Sequence, residues 1–168
     1  MGAFSPARLS VHNYRVWIAR ARLAAVPFAV AEVLIERGNY PPGYERWAWT
    51  TTAVLAVGTV AVFFLRNPFP GLVLDLLVVS AYVCIYSFEP SSPVRELLFL
   101  VVLEGALLLG ARAAFILPPL SVPALWFFER QTSQELGVPF DVGHVLGPVG
   151  LQLLVGLVVG RLAASRGV

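Results

Sequence analysis

Six apolar stretches, each about long enough to cross a bilayer, occupy almost the whole chain. A membrane-spanning helix needs roughly 20 mostly apolar residues, because each residue advances the helix by about 1.5 Å. The chain is 58% hydrophobic and 13% charged, whereas an ordinary soluble domain is roughly 25% charged. The sequence therefore predicts an all-α integral membrane protein, a six-transmembrane-helix bundle with helices near 16–37, 47–65, 71–87, 95–110, 113–129 and 142–161.

The distribution of arginines predicts the orientation. Basic residues beside membrane spans concentrate on the cytoplasmic side. With a cytoplasmic N-terminus, eight arginines lie on or near that side and four lie outside. Both termini are then cytoplasmic, with a segment over residues 1–15, the transmembrane domain over 16–161 and a tail over 162–168. The expected location is the cell (plasma) membrane, multi-pass in the lipid bilayer. Basic residues that set orientation explain the pI near 9.0 without a nucleic-acid partner.

Ionisable side chains inside the apolar stretches are the candidates for function. A charge at the bilayer centre costs at least about 2.5 kcal/mol and needs a partner or a cavity. Glu104 lies deep in the fourth stretch and is predicted to reach neither surface. Protonation, a hydrogen bond to Thr or Tyr, and pairing with an Arg all remain open for it. Asp75 lies about one turn into the third helix, where pairing with Arg66 or Arg112 is expected.

The first stretch carries a polar stripe that is predicted to face the bundle interior. Its members recur at spacings of three, four or seven and so share one helix face: Arg15, Arg22, Ala25, Ala29, Glu32 and Glu36. One interpretation is an intramembrane polar site around Glu32, with the candidate members Glu32, Glu104, Asp75, Arg22 and Arg112. In the other, Glu32 is a structural hydrogen-bonding group and Glu36 merely extends towards the outer surface.

Prolines and glycines are predicted to shape the last two helices. Prolines interrupt the fifth helix and the sixth, giving broken helices that line a site or form fixed kinks, at Pro118, Pro119, Pro123 and Pro148. Two GxxxG pairs lie on opposed faces of the last helix and let it pack closely on two neighbours, within one chain or in a homodimer: Gly143 with Gly147, and Gly156 with Gly160.

The remaining polar residues give no enzyme signature. Histidine changes charge near neutral pH, so His144, near the outer start of the last helix, is a candidate pH-sensitive group or a simple capping group. The sequence has no GxSxG elbow, phosphate-binding glycine loop or HExxH motif. Its single cysteine, Cys84, excludes a multi-cysteine metal site. We therefore expect no catalytic residue, no metal and no cofactor.

Three segments resemble a known family. They read YPPGYERWAW over 40–49, SAYVCIYSFEPSSPVRELLF over 80–99 and FDVGHVLGPVGLQLLVGLVVGRL over 140–162. They resemble the N-terminal membrane-embedded input region of certain actinobacterial sensor histidine kinases, several of which carry a GAF domain before the kinase core. The resemblance extends from about Arg15 to Leu162. It implies a six-span sensor domain of a two-component system, which passes a conformational change through its last helix into a cytoplasmic coiled coil.

The 168 residues contain no counterpart of that family's phosphoacceptor and ATP-binding parts. The expected function is therefore non-catalytic signal input, as a homodimer or with a separate cytoplasmic output protein. The alternative is a small six-span transport subunit, similar to the substrate-binding components of energy-coupling-factor transporters. Such a subunit docks on an energising subunit, and Ala21 and Ala25 have the AxxxA spacing used for that purpose. A third reading, a structural membrane partner, needs no site.

Overall fold

The computed structural model describes residues 11–65 and 67–165, with side chains from Ile18 onward. These residues form an all-helical fold with no β-strand among them, which confirms the predicted all-α class. The helices are α1 Val11–Ile35, α2 Tyr44–Phe63, α3 Phe69–Ile85, α4 Leu97–Leu109, α5 Ala113–Leu136 and α6 Gly143–Ser165. Of the predicted cytoplasmic segments, residues 1–10 and 166–168 lie outside the described residues, as does Arg66.

Three helical stretches within the described residues are long and apolar enough to cross a membrane. They are Phe69–Phe88, Pro93–Leu136 and Gly143–Ser165. The exterior of the fold is apolar, as a lipid-facing surface requires. Side chains on several helices leave half or more of their surface exposed, including Phe28, Val57, Phe64, Leu77 and Leu146.

The stretch Pro93–Leu136 is a helical hairpin. Its 44 residues are more than twice the roughly 20 that one crossing needs. Gly105 in α4 packs directly against Leu117 in α5, although twelve residues of continuous helix would separate them by about 18 Å. The reversal occurs at Gly110, whose φ of 64° lies in the left-handed region that glycine tolerates.

Helix α5 differs from its prediction in two respects. Of the two alternatives for the prolines, the broken helix is wrong, because α5 continues through Pro118, Pro119 and Pro123, and α6 continues through Pro148; fixed kinks in continuous helices stay a prediction. Pro118 is fully buried, so packing on neighbouring helices offsets the lost backbone donor. The helix also extends past 129 to Leu136, where Gly137 ends it with a φ of 66°.

The helices pack as two groups, α1–α3 and α4–α6, which are joined by the contacts of α3 with α4 and α5. Helix α1 packs chiefly on α2, and α2 packs on α3; helix α3 then contacts both α4 and α5, and α6 covers α4 and α5. The predicted interior stripe of α1 is correct in part. Ala29 is buried, and Arg22, Glu32 and Glu36 are half-buried, but Ala25 is exposed. Val33, which has no polar group to reveal it, is the fully buried residue of this helix face.

Candidate functional site

Three ionisable side chains from three helices meet inside the bundle. Arg22 of α1 donates from Nε to Oδ2 of Asp75 in α3 at 2.8 Å, and from Nη2 to Oε1 of Glu104 in α4 at 2.5 Å. Only 11% of the Arg22 side chain is exposed, with 15% for Asp75 and 13% for Glu104. We call these three residues the inner ion cluster. Hydrogen bonds between charged partners are roughly twice as strong as neutral ones.

The first turn of α3 makes room for the guanidinium. Gly71 is buried beneath it, and a side-chain carbon at Gly71 would lie 2.5 Å from Nη1 and Nη2 of Arg22. Asp75 follows one turn later on the same face of α3. Helix α1 packs chiefly on α2, so Arg22 joins it to α3 and α4 by strong, directional bonds.

The structure brings together three of the five predicted members of the intramembrane site. Asp75 was expected to pair with Arg66 or Arg112; Arg66 lies outside the described residues, and the Arg112 alternative is wrong, because the Arg22 guanidinium holds the Asp75 carboxylate. Arg112 is exposed in the short 3-10 turn that precedes α5. Glu32 is ten residues further along α1 than Arg22, a rise of about 15 Å, and so lies away from the cluster.

Tyrosines surround the far end of α1. The Tyr40 and Tyr86 hydroxyls are 2.5 Å apart, and the Tyr82 hydroxyl is 2.6 Å from Oγ1 of Thr52. Burial raises the pKa of Tyr40; the hydrogen bond with Tyr86 opposes this effect, and the charge of Glu32 is among those that reinforce it. The Tyr40 phenol is therefore protonated at neutral pH and able to donate.

An open cleft of about 590 Å³ lies where α5 ends and α6 begins. We call it the outer cleft, and it is lined by Pro90, Arg95, Phe128, Glu129, Thr132, Leu136, Val138, Pro139, Phe140, Asp141 and His144.

The predicted pH-sensitive residue, His144, is exposed in the outer cleft. Its Nδ1 is 3.1 Å from Oε1 of Glu129, and its Nε2 is 3.8 Å from Oδ2 of Asp141. Because the two carboxylates contact different ring nitrogens, one ion cannot bind all three groups. Among the side chains that the structure describes, from Ile18 to Ser165 without Arg66, no set of three His, Cys, Asp or Glu residues is placed to hold a metal ion.

Sequence reasoning missed several buried polar residues. Glu129 lies at the predicted end of the fifth helix and is only 6% exposed. Gln152 in α6 is fully buried, and its Oε1 is 2.9 Å from the Ser121 hydroxyl of α5. The amide inside the apolar run VGLQLLVG was the available signal, because polar side chains at such positions commonly hydrogen-bond between helices.

The two GxxxG pairs of α6 have different surroundings. A side-chain carbon at Gly156 would lie 3.0 Å from Cβ of Ala114, and one at Gly160 would lie 2.7 Å from Cα of Ala111. The other pair, Gly143 and Gly147, does not mediate helix packing within the described chain. Gly147 faces open space, and Gly143 has only the Asp141 side chain of its own connector nearby.

No family model, curated protein or solved structure matches this chain. The resemblance to sensor histidine kinases accordingly stays a prediction from the three segments quoted above.

Proposed function

We propose that this chain is a non-catalytic signal-input module of a membrane sensor. It crosses the plasma membrane six times, with both termini on the cytoplasmic side. The three apolar helical stretches and the α4–α5 hairpin support a multi-pass arrangement. Helices α1 and α2 are 25 and 20 residues long, which is sufficient for two further crossings. The arginine distribution and the three resembling segments support the orientation and the sensory role.

One observation carries the proposal: the inner ion cluster and α6 both contact α4 or the turn that ends it. Glu104 lies on α4, and the Gly110–Ala111 turn that ends α4 packs against Gly160 of α6 with no space for a side chain. Close-packed interiors transmit displacement because their atoms have little free volume. A shift of α4 relative to α1 and α3 therefore displaces α6, the helix that leads towards the cytoplasm.

The inner ion cluster provides the energy difference that such a switch needs. Breaking a buried ion pair by removing one partner costs about 3–5 kcal/mol. A stimulus that separates α1 from α4 works against this attraction, and one that brings them together is favoured by it. The receiving partner is a second copy of the chain or a separate cytoplasmic output protein.

The test is a fusion of a histidine kinase core after Val168, reconstituted in lipid bilayers. We expect Glu104→Gln to change autophosphorylation by about tenfold, because a hydrogen bond to a charged group contributes about 1.5–3 kcal/mol to the state that contains it. Glu45→Gln is the matched control, since Glu45 pairs with the exposed Arg37. Output that stays constant across bilayer compositions and is equal in the parent and both variants contradicts the proposal.

One observation favours the transport subunit as a second candidate. Ala21 and Ala25 are both exposed on α1, as residues that dock on an energising subunit need to be. Gentle purification from the native membrane separates the candidates. Stoichiometric co-purification of an ATPase subunit, abolished by Ala21→Trp, supports transport and opposes the sensory proposal.

A further inference from the structure

We propose that the outer cleft binds a small organic cation, an ammonium group attached to an apolar body. This inference concerns a different part of the molecule from the inner ion cluster and does not depend on the sensory role. The volume of about 590 Å³ is within the range of small-molecule sites, roughly 300–1,000 Å³. Such sites combine a mostly apolar lining with a few polar groups that orient the ligand.

The anchor for the ammonium group is Glu129. Its carboxylate is buried in the wall of the cleft, and the residue is 6% exposed. Oε1 contacts Nδ1 of His144 at 3.1 Å, while Oε2 receives no hydrogen bond from any described residue. Among the described residues, the fully enclosed side-chain atoms without a partner are Thr59 Oγ1 and Gln152 Nε2. Oε2 of Glu129 is therefore not sealed off, and a ligand in the cleft can reach it. An ammonium N–H supplies both the donor and the opposite charge.

The other charges at the cleft favour a cation over an anion. Arg95 is the arginine in the lining, beside His144, and its Nε lies 3.4 Å from Oε1 of Glu96, which offsets its charge. Its guanidinium lies over the Phe128 ring, with Cζ 5.8 Å from the ring centroid. Asp141 accepts the Gly143 N–H at 2.7 Å and so caps α6. Asp141 therefore adds negative charge at the mouth of the outer cleft. Glu129 provides the carboxylate oxygen, Oε2, that receives no hydrogen bond from a described residue.

The apolar body of the ligand has a matching surface beside the anchor. Leu136, Val138 and Phe140 line the cleft and are exposed or half-buried, so a ligand can cover them. Covering apolar surface favours binding, because it removes that surface from water. The Phe140 ring is fixed by Trp126, at 4.6 Å between ring centroids. A small amine with one ring or a short alkyl chain satisfies both parts of the site.

The test is equilibrium dialysis of 2-phenylethylamine against the purified full chain in a non-ionic detergent. We expect saturable binding, and binding of the neutral analogue 2-phenylethanol at least about tenfold weaker, because the alcohol lacks the charge-assisted bond. Glu129→Gln should weaken amine binding by at least about tenfold for the same reason. Glu135→Gln is the matched control on α5, since Glu135 is exposed and outside the cleft.

A second variant covers the case in which Glu129→Gln does not fold. Asp141→Asn retains a good helix cap and removes one charge from the mouth, so amine binding should fall by a factor of about three, the effect of a partly screened charge. Equal binding of the amine and the alcohol, or no saturable amine binding to the parent chain, overturns the proposal. Unchanged binding in a folded Glu129→Gln variant overturns it as well.

An ammonium group can come from a soluble amine or from a lipid head group. Repeating the titration in phosphatidylglycerol nanodiscs, with and without phosphatidylethanolamine, separates these sources. Competition by phosphatidylethanolamine identifies the lipid amine as an occupant of the site. Undiminished binding of the soluble amine identifies a water-borne ligand. Both results require amine binding at Glu129 and so support the proposal.

Discussion

At the scale of single residues, Arg22 makes more long-range polar contacts than its place on a peripheral helix suggests. It reaches Asp75, 53 positions away, and Glu104, 82 positions away. The sequence indicates all three residues as candidates, because charges inside apolar stretches are locally visible. It could not identify their pairing, because helix packing decides which arginine meets which carboxylate. The pairing expected between Asp75 and Arg66 or Arg112 rests on a shared membrane side, which does not determine distance.

Removing the Arg22 charge should destabilise the bundle strongly. We expect Arg22→Met to lower the free energy of unfolding by about 3–5 kcal/mol, since Asp75 and Glu104 lose their buried cation. Arg20→Met on the same helix is the control, because Arg20 is exposed and an exposed substitution changes stability by about 0.5 kcal/mol or less. The measurement is unfolding in mixed micelles of increasing denaturing detergent. Equal effects of the two substitutions would refute a stabilising role for the cluster.

At the scale of secondary-structure elements, the helix positions were largely predictable and the uses of their motifs were not. Hydropathy is a local property, so it located the helices well. Their ends depend on single residues such as Gly137, whose positive φ ends α5 seven residues beyond the predicted limit. The prolines of α5 indicate either a broken or a kinked helix, and packing around the buried Pro118 keeps the helix continuous. The two GxxxG pairs share one pattern, yet only the pair that meets another helix is packed.

The two glycine pairs of α6 should respond oppositely to alanine. Gly160→Ala places a carbon against the backbone of the α4–α5 turn, which cannot rotate away, so we expect a loss of about 1–3 kcal/mol. Gly147→Ala meets open space and improves helix propensity, so a gain of about 0.5–1 kcal/mol is expected. The same detergent titration reports both values. Changes of the same sign would show that α6 does not pack on the turn as described.

At the scale of the whole molecule, a six-span topology makes a prediction for every connector. Ser91 lies between α3 and α4 and should be outside the cell, whereas Asn67 lies between α2 and α3 and should be inside. Both are exposed, and Cys84, the one native cysteine, can be replaced by alanine. An impermeant maleimide added to intact cells should label Ser91→Cys, and should label Asn67→Cys only after the membrane is opened. Labelling of both positions in intact cells would reject this topology.

The length of α4 has a consequence for how the membrane tolerates the inner ion cluster. Its 13 residues span about 20 Å, less than the roughly 30 Å of a hydrocarbon core. A short helix is accommodated by local thinning of the bilayer. Glu104 is five residues from the end of α4, a rise of about 8 Å. In the proposed six-span topology, hydrophobic mismatch would therefore bring head groups and water closer to the inner ion cluster, and would lower the cost of holding its charges in lipid.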